Sequence, residues 1–146
     1  MPDTVDTHGS RVTHRDAPVY HAPSGLPYRA IASAGRGSRD LFVAEQTLAP
    51  GEAVPRHTHP VEEVLCFLDG SGEASLGDQW VTVEPGISLI LPPGVPHSFA
   101  NTGRVPLRAL VIFPGGSFAP TTRVGQSGAI PSSSPGDAAR PGDPIP

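Results

Sequence analysis

Residues 51–70 read GEAVPRHTHPVEEVLCFLDG. The stretch opens on Gly51, straight after Ala49–Pro50, and closes on Asp69–Gly70, so a turn signal stands at each end. Two short segments lie between, Val54–His59 and Glu63–Leu68, with Pro60 breaking the chain. In the second, Glu63, Leu65 and Phe67 fall on one side and Val64, Cys66 and Leu68 on the other, the period-2 pattern of a strand.

The same punctuation extends outward. LFVAEQTL, residues 41–48, runs into Ala49–Pro50–Gly51, and Ile87–Leu91 runs into Pro92–Pro93–Gly94. Glu73–Leu76 and Trp80–Val83 flank a hairpin-like tip at Gly77–Asp78, and Leu107–Phe113 ends at Pro114–Gly115–Gly116. Prolines fall at segment edges or in turns, where a missing N–H is tolerated. No stretch sustains a 3.6-residue apolar period. Seven or eight short strands spaced this way predict an all-β sandwich or small barrel.

The folded window is expected over residues 28–118. Residues 119–146 hold six Pro, four Gly and four Ser, too little apolar area to offset ordering entropy, and are expected as a disordered tail or an extended arm. Residues 1–27 are expected as a flexible N-terminal segment, with His8, His14 and His21 solvated and without metal-ligand spacing. About ninety residues make a small core, so a metal or a second subunit would help it.

All ten basic residues of the 146 are arginine. The absence of lysine excludes Schiff-base chemistry, Ser–Lys dyads and the phosphate-loop nucleotide site. A net charge of −4 with no arginine cluster argues against nucleic acid and membrane surfaces as partners. Cys66, the single cysteine, has no partner for an intramolecular disulfide. Neither a signal-peptide h-region nor an eighteen-residue apolar run is present, so the expectation is a soluble, cytoplasmic protein.

The chemistry concentrates at His57-Thr58-His59. In a strand, residues i and i+2 project side by side, so two imidazoles face one way. Glu63 follows past the turn at Pro60 and could add a carboxylate, and His97 comes at the start of another strand. Imidazoles with one carboxylate suit Fe, Mn, Zn, Ni or Co and disfavour Mg or Ca.

The spacing is more specific than the pair. Gly51-x5-His57-x-His59-x3-Glu63-x6-Gly70 is followed fifteen residues later by Gly86-x5-Pro92-x-Gly94-x2-His97-x3-Asn101. These resemble the two motifs of the cupin superfamily, complete at all ten positions. The resemblance covers about Leu41 to Phe113 and implies a double-stranded β-helix (cupin, jelly-roll-like) barrel. It further implies that His57, His59, Glu63 and His97 converge on one divalent transition metal. Alternation and the spacing to Gly70 favour Glu63 over Glu62, which is read as a solvated surface charge. Asn101 is expected to cap the Thr102–Gly103 turn.

With all four ligand positions kept, the resemblance implies a metalloenzyme acting on a small organic substrate. With Fe the expected chemistry is that of a dioxygenase. With Zn, Mn or Ni it is that of a Lewis-acid cyclase, isomerase or decarboxylase, as in the polyketide cyclases of similar size, with Glu63 as the catalytic base. The alternative is a non-catalytic metal- or ligand-binding module. A homodimer is expected from the resemblance and the small core. Gln46, Phe67, Phe99 and Phe113 are the expected pocket residues. For Gln46 two readings stay open: it faces the interior with Phe42, Ala44 and Leu48, or Glu45 does. Trp80 is read as an outer packing residue, and Arg56 and Arg108 as strand-end residues in solvent.

Overall fold

The computed structural model describes residues 8–125. Among these residues eleven strands form two antiparallel sheets. They are β1 (Val19–His21), β2 (Pro27–Ala32), β3 (Leu41–Leu48), β4 (Ala53–Thr58), β5 (Glu63–Asp69) and β6 (Gly72–Leu76), then β7 (Gln79–Val83), β8 (Ser88–Leu91), β9 (His97–Ala100), β10 (Leu107–Pro114) and β11 (Thr122–Arg123). One sheet has the order β1-β2-β3-β10-β5-β8 and the other β11-β4-β9-β6-β7. Sequence neighbours β4 and β5 therefore belong to opposite sheets, the crossing that winds the chain into a double-stranded β-helix. The helical content among the described residues is two short 3-10 turns, His14–Asp16 and Ala34–Arg36.

Strict alternation carries one face of each strand into the core. In β10, Leu107, Ala109, Val111 and Phe113 are buried while Arg108, Leu110 and Ile112 look outward. In β5 the buried set is Glu63, Leu65 and Phe67. Phe67, Phe113, Leu48, Leu65, Leu91 and Leu107 are the largest fully buried side chains. Because β10 pairs with β3 on one side and β5 on the other, Val111 sits between Ala44 and Leu65 in register. Removing a buried Phe from such a row costs about 3–5 kcal/mol.

Two motif positions are explained by backbone geometry. Gly70 has φ +79°, and a Cβ there would collide with the Pro106 carbonyl and Leu107 Cα, so the β5–β6 turn accepts only glycine. Asn101 is buried and satisfies three backbone groups: Nδ2 donates to the Leu48 and Val105 carbonyls at 2.9 and 2.8 Å, and Oδ1 accepts from Gly103 N–H at 2.9 Å. It caps the Thr102–Gly103 turn as expected, and it also ties that turn to the end of β3.

Pairing extends beyond residues 28–118 at both ends. The segment expected to be flexible contains β1, which pairs with β2, and Pro27 already belongs to β2. Ala17 and Ala22 are buried. The segment expected as a tail begins with buried Ala119 and with β11, paired to β4 through Thr122↔Thr58 and Arg123↔His57. Both edge strands are held by main-chain hydrogen bonds, and their side chains are exposed. An apolar-burial criterion passes over such strands. The rest of the expected tail, residues 126–146, lies outside the described residues, as do residues 1–7.

Candidate metal centre

His57 lies near the end of β4, His59 just after it, Glu63 opens β5 and His97 opens β9. All four are buried. The pairing of β4 with β9 sets His57 directly across from His97, their ring centroids 4.3 Å apart. A register shift between Val54 and His57 changes the phase of β4 so that His57 and then His59 turn inward. The Gly94 N–H donates to the His59 carbonyl at 2.9 Å, which ties the 92–97 turn to the histidine pair. The ligand atoms of the four side chains lie within 4.8 Å of one another.

The hydrogen bonds fix which nitrogen faces inward. His57 Nδ1 is 2.6 Å from the Pro55 carbonyl, His59 Nδ1 3.0 Å from the Pro120 carbonyl and His97 Nδ1 2.8 Å from the Val95 carbonyl. A carbonyl only accepts, so each Nδ1 carries the proton and donates. In the neutral rings each Nε2 is then a bare lone pair. Those lone pairs point at one another: His57 Nε2 and His59 Nε2 are 3.0 Å apart, and His97 Nε2 has no hydrogen-bond partner.

Glu63 completes the cluster, with Oε1 2.9 Å from His97 Nε2 and Oε2 3.5 Å from His59 Nε2. Converging lone pairs and a carboxylate repel unless a cation sits among them. Ligands bonded at roughly 2.0–2.2 Å to one ion stand about 2.9–3.5 Å apart, the spacing seen here. The donor set and its geometry fit a divalent transition metal.

Charge follows from burial. Removal from water, with His97 beside it, lowers the pKa of His57 to about 4, against the opposing pull of the Pro55 carbonyl. His57 is thus neutral at physiological pH, the form that ligates metal. Burial pushes the Glu63 carboxyl up, while His59 and His97 pull it down whenever those rings carry a proton; the net direction is below its ordinary value, an anion at neutral pH.

Beside the cluster is a cavity of about 100 Å³, bordered by His57 and Glu63. Gln46, Val54, Leu65, Phe99, Val111 and Phe118 form its walls, and Ser24, Thr121 and Arg123 also line it. Of the four expected pocket residues, Gln46 and Phe99 line this cavity and Phe67 and Phe113 do not. Phe67 stands edge-on behind Phe99, centroids 5.7 Å apart, and Phe113 backs the His59 ring at 4.8 Å. They are supports, because each is a fully buried member of its strand's core row.

The open question at β3 is resolved: Gln46 is buried with Phe42, Ala44 and Leu48, while Glu45 turns outward to Arg108 and His14. Arg108 also meets Asp69 at 2.7 Å. Glu62 is exposed and Cys66 lies on the outer face of β5.

Three groups went unread in the sequence: Phe118, the Pro120 carbonyl and Arg123. The available signal was the β-branched pair Thr121–Thr122, starting three residues past Phe118, which marks a short strand within a proline-rich context.

A double-stranded β-helix carrying three histidines and a carboxylate on its inner face defines a metal-site barrel. The cupin-domain family model matches residues 44–113. Germin-like protein 1 of Brassica napus is 41% identical over 79 residues, covering 50% of this chain and 38% of that relative, so the chain spans less than half of its length. The tetracenomycin polyketide synthase protein TcmJ of Streptomyces glaucescens is 29% identical over 119 residues, covering 81% and 78%. The polyketide cyclase RemF from Streptomyces resistomycificus superposes with a TM-score of 0.71 at 24% identity, over 82% of this chain and 87% of that one, a likeness of fold. Residues 44–113 of the chain are a cupin domain, set in a double-stranded β-helix of the cupin fold. No helix among the described residues is long and apolar enough to cross a membrane.

Proposed function

We propose that this protein is a metal-dependent enzyme that acts on a small polycarbonyl substrate of the polyketide type and promotes its cyclisation. The observation that carries the reading is the convergence of three imidazole Nε2 atoms and one carboxylate beside a largely apolar cavity that His57 and Glu63 border. Similarity to TcmJ and RemF over about four-fifths of the chain supports the substrate class. His57, His59, Glu63 and His97 would hold one divalent ion, which when bound supplies Lewis acidity toward carbonyl oxygens.

The chain's own residues then account for the rest. Val54, Leu65, Phe99 and Val111 hold the hydrocarbon body of the substrate and keep water from it. Glu63 is the one carboxylate lining the cavity among the described residues, and it is ionised at neutral pH. It takes a proton from the carbon between two carbonyls, the resulting carbanion forms a C–C bond to a second carbonyl carbon, and the proton returns to the new alkoxide oxygen.

Iron with dioxygen would convert the same site to a dioxygenase, and a bound metal without turnover would make it a binding module. Metal analysis of the purified protein, followed by incubation with a linear polycarbonyl compound under air and under argon, separates these. Cyclised product under argon supports the proposal; turnover that requires oxygen overturns it in favour of oxygenation; bound metal with no product under either gas overturns it in favour of binding. We further propose a homodimer, supported by an aligned apolar row on the outer face of the six-stranded sheet, where Val43, Ile112, Val64 and Ile90 stand side by side in register. Light scattering tests it: a dimer supports the proposal and a monomer overturns it.

A further inference from the structure

Gln46 is a buried polar side chain outside the metal cluster whose amide nitrogen the fold leaves unused. It is 4% exposed, it lines the cavity shared with His57 and Glu63, and its Nε2 has no hydrogen-bond partner among the described residues. Its neighbours in the buried row of β3 are Phe42, Ala44 and Leu48, and its cross-strand partner on β10 is Ala109, none of which has a side chain able to accept. A buried amide donor without an acceptor destabilises a fold, so a residue type kept there for packing alone would be apolar. An N–H donor of this kind is satisfied by an oxygen that arrives with a ligand.

We propose that Gln46 is the specificity-determining donor of the cavity: its Nε2–H binds a carbonyl or enolate oxygen of the substrate while the substrate's apolar body lies against Leu65, Phe99 and Val111. The inference rests on the metal-centre reading above and adds the ligand class, a molecule with an oxygen acceptor positioned for β3 when another part of it meets the metal cluster. A ligand lacking that oxygen leaves Nε2 unpaired, so the site discriminates by the presence of the acceptor more sharply than by the size of the body.

The test uses the full chain loaded with Co(II), whose visible absorption reports on its ligands, titrated with acetylacetone as the probe. Gln46→Leu is expected to weaken probe binding about tenfold or more, to leave Co(II) stoichiometry at one per chain, and to raise the Tm of the probe-free protein because an unpaired donor is removed. Gln46→Glu, which presents an acceptor to the anionic probe, is expected to weaken binding at least as much. Wild type and Gln46→Leu that load Co(II) equally and bind the probe equally overturn this inference and leave the metal reading standing. A fall in the Tm of probe-free Gln46→Leu also overturns it, since Gln46 would then be a structural residue. Wild-type protein that takes up no Co(II) overturns the metal reading, and this inference with it.

Discussion

His57 and His97 are directly opposed across the β4–β9 ladder, ring centroids 4.3 Å apart, each with Nδ1 committed to a main-chain carbonyl two residues before it. The backbone of each strand thus holds its own imidazole in the tautomer a metal needs. Two strands register one site. Exchanging both for alanine is expected to abolish metal binding, read as loss of the single equivalent of metal on elemental analysis. Chelation of the wild type should lower the Tm by on the order of 10 °C, the consequence of losing a ligand held well above its Kd. Retained metal in the double variant would remove the site assignment.

Acid should destabilise the metal-free protein through His57. Its pKa is about 4 folded against 6.5 as an ordinary imidazole, so between these values the unfolded chain binds more protons. The contribution is complete above pH 6.5 and is lost as pH falls through the folded value near 4. It is on the order of 3 kcal/mol for a shift of this size. Urea unfolding of wild type and His57→Gln at several pH values measures it. The variant should show a shallower loss between pH 6.5 and 4, and parallel curves would contradict the assignment.

Ending the chain at Phe118 is expected to weaken metal binding about 10–100-fold, the usual effect of losing a group that orients a ligand. That truncation removes the Pro120 carbonyl that accepts from His59 Nδ1, together with β11 on the edge of β4. A chain ending at Gly125 keeps both contacts and should bind metal as the full chain does. Competition against a chromophoric chelator would measure the difference.

Asn101→Ala should cost about 2–4 kcal/mol, because it strands two carbonyls and an N–H around a buried position. Arg108→Ala should cost within about 0.5 kcal/mol, although Arg108 makes two ion pairs, because those pairs face solvent. Chemical denaturation of the two variants side by side would show the contrast, and a reversed order would contradict it.

The parts of this molecule that were legible in its sequence are those where side-chain chemistry and strand period coincide. Alternation along residues 63–68 places Glu63 inward with Leu65 and Phe67, and that is where the fold puts it. Gln46 and Glu45 were ambiguous because a polar residue stood on each face of β3, and the burial of Gln46 together with the outward pairing of Glu45 with Arg108 decides between them. β1 and β11 were illegible for a different reason. They bury no side chains of their own and depend on main-chain pairing, which leaves no hydrophobic trace. The Pro120 carbonyl escapes for the same reason: every residue has one, and only the path of the chain gives this one a task.

His57 and His97 project from the five-stranded sheet and Glu63 from the six-stranded one. An ion held by all of them would act as a rivet through the sandwich. Separation of the two sheets would then require ligand bonds to break, so the rate of metal escape and the rate of sheet opening would be governed by one event. Metal retention in this protein would accordingly report on the mechanical integrity of its barrel as well as on its affinity for the ion.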